Sequence, residues 1–280
     1  MKRDPISKYA VQEIKLRLKH FSKNLRRAAK HPEDPEAIHD LRVSIRRVVQ
    51  ACKTFGALLD PAPIKKLRRR LHKVMELCAA VRNCDIALTL LDQVGTTGAA
   101  VSRLKKARVE AAEKLHRRLR VERKKRHAVP DSRAHPKERD WNLDQSIEAN
   151  LSRVLPGLVE EFFASGKAAI SAHASYQKLH QFRLQAKRFR YTLELFERFY
   201  GSEMASGAEI LKELQDRLGA INDCATTIVM IEPDRRAVAA VGKLLRQRNA
   251  VLQTYARGQF VAQKLEWWKR WLAQPARNAA

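Results

Sequence analysis

The chain has 280 residues, with 56 Lys and Arg against 30 Asp and Glu and a formal charge of +26, a balance that points to a polyanionic partner. Its 45% hydrophobic content can bury a core, which excludes a wholly disordered chain, and no run approaches the roughly eighteen apolar residues that span a bilayer. The N-terminus "MKRDPISKYA" passes from charge into an amphipathic pattern without a signal-type apolar core, so the cytoplasm is the expected location and no membrane partner is expected.

Taken in chain order, apolar residues recur at spacings of three and four. Ile14, Leu18, Phe21 and Leu25 form one such seam, Leu41, Ile45, Val48, Cys52 and Phe55 the next, and Leu67, Leu71, Val74, Cys78 and Val81 a third. This is the period of amphipathic helices, and no segment alternates as a strand would. The predicted helices are 6–30, 35–59, 63–92, 99–128, 143–167, 174–200, 205–229 and 234–256, with a short amphipathic one at 258–273. Asp34 is the expected N-cap of the second helix with Pro35 at its first position, "DPAPI" closes that helix, and "QVGTTGAA" separates the third from the fourth. The charged, proline-containing stretch before Trp141 reads as a linker. The expected organisation is a first four-helix half at 1–128, a linker at 129–142, a second four-helix half at 143–257 and a C-terminal tail at 258–280.

The two halves repeat. Setting His39 on His180 aligns Arg42 with Arg183, Arg46 with Lys187, Arg47 with Arg188, Val48 with Phe189 and Phe55 with Phe196. After one residue of slippage, Leu71, Val74, Val81 and Cys84 fall on Leu211, Leu214, Ile221 and Cys224. The expected fold is therefore all-α, with two pseudo-symmetric four-helix bundles that arise from an internal duplication.

At about 100° per residue, His39, Arg42 and Arg46 share one stripe of their helix, next to the apolar face of Leu41, Ile45 and Val48, and His180, Arg183 and Lys187 do the same in the second copy. Arg47 and Arg188 point further round. Helix 1 repeats the device with Lys19 and Arg26 among its aligned cations. Partly desolvated cations are costly without a partner, and 30 carboxylates can neutralise at best about half of 56 cations. An external anion is implied. Arginine suits phosphate because its planar fork engages two oxygens at once, whereas Lys and His supply a single donor. The rise between Arg42 and Arg46, about 6 Å, fits closely spaced phosphates or a nucleic-acid backbone.

Plainer readings stand beside this one. His39 and His180 can be structural histidines that bond a neighbouring helix. Neither has a His, Cys, Asp or Glu four residues on, which argues against a metal site. The four cysteines have no CxxC spacing and read as buried thiols. Asp85 and Asp223, one acid per copy, are more simply caps or ion-pair partners than a catalytic pair. Trp267, Trp268 and Trp271 read as packing residues of the last helix.

At "IHDLRVSIRR" (38–47), "LHQFRLQAKRFRY" (179–191) and "LKELQDRLGAINDC" (211–224), with its counterpart "LHKVMELCAAVRNCD" (71–85), the chain resembles the CHAD family, the conserved-histidine α-helical domain. Two positions depart from the family pattern: Asn83 stands where an acid is usual and Asn222 where a base is usual. The Glu-x-Glu-x-Lys stretch of the triphosphatase tunnel domain that often precedes CHAD is absent from the sequence, so a stand-alone member is expected. The resemblance implies two four-helix bundles around a basic central channel and binding of inorganic polyphosphate without catalysis, cofactor or metal. Carried over by position, the expected polyphosphate-binding residues are His39, Arg42, Arg46, Arg47, His180, Arg183, Lys187 and Arg188; Lys19 and Arg26 join them from the helix 1 stripe. Association with polyphosphate granules is a further expectation. Two alternatives stay open: a nucleic-acid-binding helical protein, with nucleic acid otherwise a weaker electrostatic competitor, and an enzyme that processes phosphoanhydrides. No phosphate loop, carboxylate cluster or recognition-helix pattern supports either.

Overall fold

The computed structural model describes residues 5–125, 141–170, 175–201 and 203–275. These residues are helical throughout, with no strand among them: α1 Pro5–Lys30, α2 Pro35–Thr54, α3 Pro61–Gln93, α4 Ala99–Arg123, α5 Ile147–Ala169, α6 Tyr176–Leu193, α7 Glu203–Ile231, α8 Arg235–Arg257 and α9 Ala262–Leu272. None of these helices is long and apolar enough to cross a membrane.

Local chemistry sets most boundaries. Asp34 caps α2 by accepting from the Glu36 amide at 2.9 Å, ahead of Pro35, and Asp60 caps α3 in the same way before Pro61. Helices α2, α4 and α6 stop short of the sequence expectation, α4 at Arg123 rather than 128. α2 ends at Thr54 rather than 59, because Gly56 is a poor helix former and Asp60 must be extended ahead of Pro61. α6 ends at Leu193 rather than 200 and passes into a 3-10 turn at Glu197–Phe199. That turn places Phe196 and Phe199 at centroid distances of 5.8 and 5.5 Å from the Tyr9 ring, while the Tyr9 hydroxyl donates to the Leu195 carbonyl. Residues 129–140 of the expected linker lie outside the described residues. Beyond them Trp141 is buried. Asn142 follows, and its amide donates to Asn150 Oδ1 at 2.6 Å while Asn150 Nδ2 returns a bond to its carbonyl at 2.8 Å. This exchange delays the start of α5 to Ile147.

The chain forms two compact units, each drawn from separate stretches of sequence. One gathers the described residues of Met1–Tyr9, Lys137–Asn222 and Arg246–Ala280, the other those of Ala10–Pro136 and Asp223–Leu245; they are called here the α6 unit and the α2 unit.

The core of the α6 unit is aromatic. Phe162 stacks on Phe189 at 4.9 Å and on Phe182 at 5.6 Å, and Phe260 meets Phe162, Phe163 and Phe182 edge-on at 5.3–5.4 Å. Gly166 makes room for this cluster, since a Cβ there would lie 2.4 Å from the Phe260 ring. α9 packs on α5, buries Trp268, and carries a stacked pair, Trp267 on Trp271, at 5.5 Å.

The α2 unit is aliphatic by contrast. α3 packs on both α2 and α4, and Leu90, Leu91, Leu104, Cys224, Ile231 and Val241 belong to one buried cluster. Its α3–α4 seam also holds a buried carboxylate, Glu122, which accepts from Arg70 Nε at 2.9 Å and Nη2 at 2.6 Å and lies 3.3 and 3.4 Å from Arg118 and Lys125.

Candidate functional site

The α2 stripe begins just beyond the Asp34 cap. Arg42 and Arg46 are half-buried and Arg47 is exposed. Arg42 lies about 90° from the centre of the seam formed by Leu41, Ile45, Val48 and Cys52, while Arg46 and Arg47 lie about 130° from it on opposite sides. Arg42 is near Cys78 of α3: burial pushes that thiol up to about 12, and the Arg42 charge works in the opposite direction. Arg46 makes no ion pair or hydrogen bond among the described residues. His39 is exposed, which corrects the expectation that it borders the core. Its direction lies about 150° from the centre of the Leu41–Ile45–Val48–Cys52 seam, so the helix itself turns it outward.

The α6 stripe follows the same angular plan. Arg183 and Lys187 are half-buried and Arg188 is exposed, with a long 3.4 Å contact to Glu161 of α5. His180 lies as far from its own seam as His39 does, yet it is half-buried. The difference comes from α7. Asn222 Oδ1 stands 3.2 Å from His180 Nδ1 and accepts from the Tyr176 hydroxyl at 3.3 Å, and the Tyr176 ring lies 6.2 Å from the imidazole.

On α1 the aligned cations, Lys19 and Arg26 among them, are exposed rather than set at a core margin. The helix buries Leu18, Phe21 and Leu25 and leaves the basic face to solvent, where long side chains keep their charge hydrated.

Asp85 is held by Arg108 Nε at 3.1 Å, so this acid is an ion-pair partner. All four cysteines are free and buried. Among the described residues, no three His, Cys, Asp or Glu side chains gather as a metal site would need. Each unit thus presents a helix that carries two half-buried cations, a chemistry suited to anionic oxygens. Spacing alone could not reveal Asn222, because its contact with His180 joins α6 to α7 across 42 positions, and the departure from the family pattern there was its one signal in the sequence. Tyr176, four residues before His180 on the same helix, was within reach of helical spacing.

The family model of the CHAD domain matches residues 12–232. The chain belongs to the CHAD family. The matched span includes both stripes and the α1 cations, while α9 with its tryptophans lies beyond it. Two solved structures share the CHAD fold of this chain. PptA from Streptomyces chartreusis superposes with a TM-score of 0.58 at 19% identity, covering 95% of this chain and 100% of its own. The CHAD domain from the plant Ricinus communis gives 0.58 and 19%, covering 98% and 94%. A search of the curated proteins returned no match.

Proposed function

We propose that this CHAD chain binds long-chain inorganic polyphosphate through the cations of α2 and α6, and that it does so without turning the polymer over. The observation that carries the reading is the half-burial of Arg42 and Arg46 on α2 and of Arg183 and Lys187 on α6. Charges at a core margin lose part of their hydration and gain from an anion that replaces it. The net charge of +26 supports a ligand with many phosphates, and membership of the CHAD family supports polyphosphate in particular. A thin, flexible polymer can reach cations recessed beside a seam, whereas a duplex about 20 Å across carries its phosphates on a stiff outer surface. Nucleic acid is then a weaker electrostatic competitor, and association with polyphosphate granules follows from the same reading.

A competition assay at near-physiological salt tests this, with labelled long-chain polyphosphate against tripolyphosphate, duplex DNA and RNA. Long-chain polyphosphate should displace the label at the lowest phosphate concentration, with no orthophosphate released. The double variants Arg42→Glu/Arg46→Glu and Arg183→Glu/Lys187→Glu should each weaken binding about tenfold or more, with circular dichroism unchanged. Tighter binding of duplex DNA would favour the nucleic-acid reading, and release of orthophosphate would favour an enzyme.

A further inference from the structure

The two copies of the motif have the same spacing, but only one of their histidines is held. His180 is fixed by Asn222 at 3.2 Å, and Tyr176 donates to the same amide oxygen. His39 is exposed and makes no hydrogen bond, ion pair or ring contact among the described residues. An amide oxygen can only accept, so the hydrogen of a neutral His180 ring belongs on Nδ1. The other ring nitrogen, Nε2, points away from Asn222 and is the atom left for a ligand. It donates to a phosphate oxygen when the ring is protonated. A carboxylate in place of Asn222 would orient the ring equally well, but it would bring a negative charge into a site that must receive a polyanion. The amide orients without repelling.

We propose that Asn222 is a positioning residue for the α6 stripe: its contact with Nδ1 fixes the ring orientation of His180, so that the protonated ring meets a phosphate chain with its Nε2–H already aimed, whereas His39 on α2 must be ordered as the ligand binds. In the neutral, ligand-free ring the same contact shows itself as the Nδ1–H tautomer. The use made of this positioning rests on the polyphosphate reading; the positioning itself does not. Ordering a free side chain on binding consumes affinity, so removal of His180 weakens binding more than removal of His39.

The test combines a spectrum with a mutant cycle in the full chain. Long-range proton–nitrogen NMR on histidine-labelled protein, at a pH where the rings are neutral, reads the tautomer with no ligand present. His180, assigned by its loss in His180→Ala, should show the Nδ1–H pattern in the parent protein. Asn222→Ala should move it towards the Nε2–H form, and Asn222→Asp, which keeps an acceptor in place, should restore the parent pattern. Affinity for long-chain polyphosphate should fall about threefold to tenfold in Asn222→Ala and should not fall further when the same change is made in His180→Ala. An unchanged tautomer in Asn222→Ala, or an equal loss of affinity with and without His180, would overturn the positioning role. A parent protein that fails to bind polyphosphate while Asn222→Ala still shifts the tautomer would leave positioning standing and remove the polyphosphate reading instead.

Discussion

Glu122 shows what one buried charge does in so basic a chain. Burial alone would raise its carboxyl pKa, yet the hydrogen bonds from Arg70 and the charges of Arg70, Lys125 and Arg118 hold it below the usual carboxylate range. A carboxyl whose folded value is depressed stabilises the fold fully above its unfolded pKa, and that stabilisation disappears as pH falls through the folded value. Replacing Glu122 by Gln leaves Arg70 partly buried without its counter-ion and should destabilise the chain by about 3 kcal/mol in urea titrations at neutral pH. The deficit relative to the parent should shrink as the titration is repeated at acid pH. A constant deficit down to about pH 3 would show that the lost interaction is not ionic. Residues such as Glu122 were not legible in the sequence, because the pair with Arg70 spans 52 positions. The two histidines teach the same lesson, since helical angle gives them equal directions and the contacts of His180 with Asn222 and Tyr176 separate their fates.

At the scale of elements the sequence was much more informative. Apolar spacing alone locates the helices, because each must bury a seam of the right period. The ends are where expectation and structure part, at Thr54, Arg123 and Leu193. At Thr54 the cause is local, in Gly56 and the extended cap before Pro61, whereas after Leu193 the deciding contacts are tertiary: Phe196 and Phe199 leave helical geometry to pack on Tyr9. Helix-to-helix distance is likewise set by contacts that no periodicity encodes. Gly166 on α5 is the clearest instance, since its missing side chain admits the Phe260 ring. Gly166→Ala improves helix propensity, which in isolation would stabilise. Overpacking should win, with a net loss of about 1–3 kcal/mol in thermal melts followed by circular dichroism. A melting temperature at or above that of the parent would mean that the aromatic cluster yields without cost.

For the whole molecule, charge excess dominates. A chain at +26 that engages several phosphates at once releases counterions on binding, so the logarithm of its affinity should fall linearly and steeply with the logarithm of salt concentration. The slope should be shallower in the Arg183→Glu/Lys187→Glu variant, and a flat response in the parent would point to a small site read by shape. Because a ligand that prefers the folded state stabilises it by mass action, long-chain polyphosphate should also raise the melting temperature. The division into two units sharpens what such a melt can say. All four tryptophans of the chain, Trp141, Trp267, Trp268 and Trp271, fall in the α6 unit, and all four cysteines, Cys52, Cys78, Cys84 and Cys224, fall in the α2 unit. Nature has thus labelled each unit with its own reporter. Indole emission follows the opening of one, and the uptake of a thiol-reactive dye, blocked while Cys52 and Cys78 stay buried with their thiols pushed up to about 12, follows the opening of the other. A single heating experiment on the unmodified chain can therefore tell which unit a phosphate polymer protects.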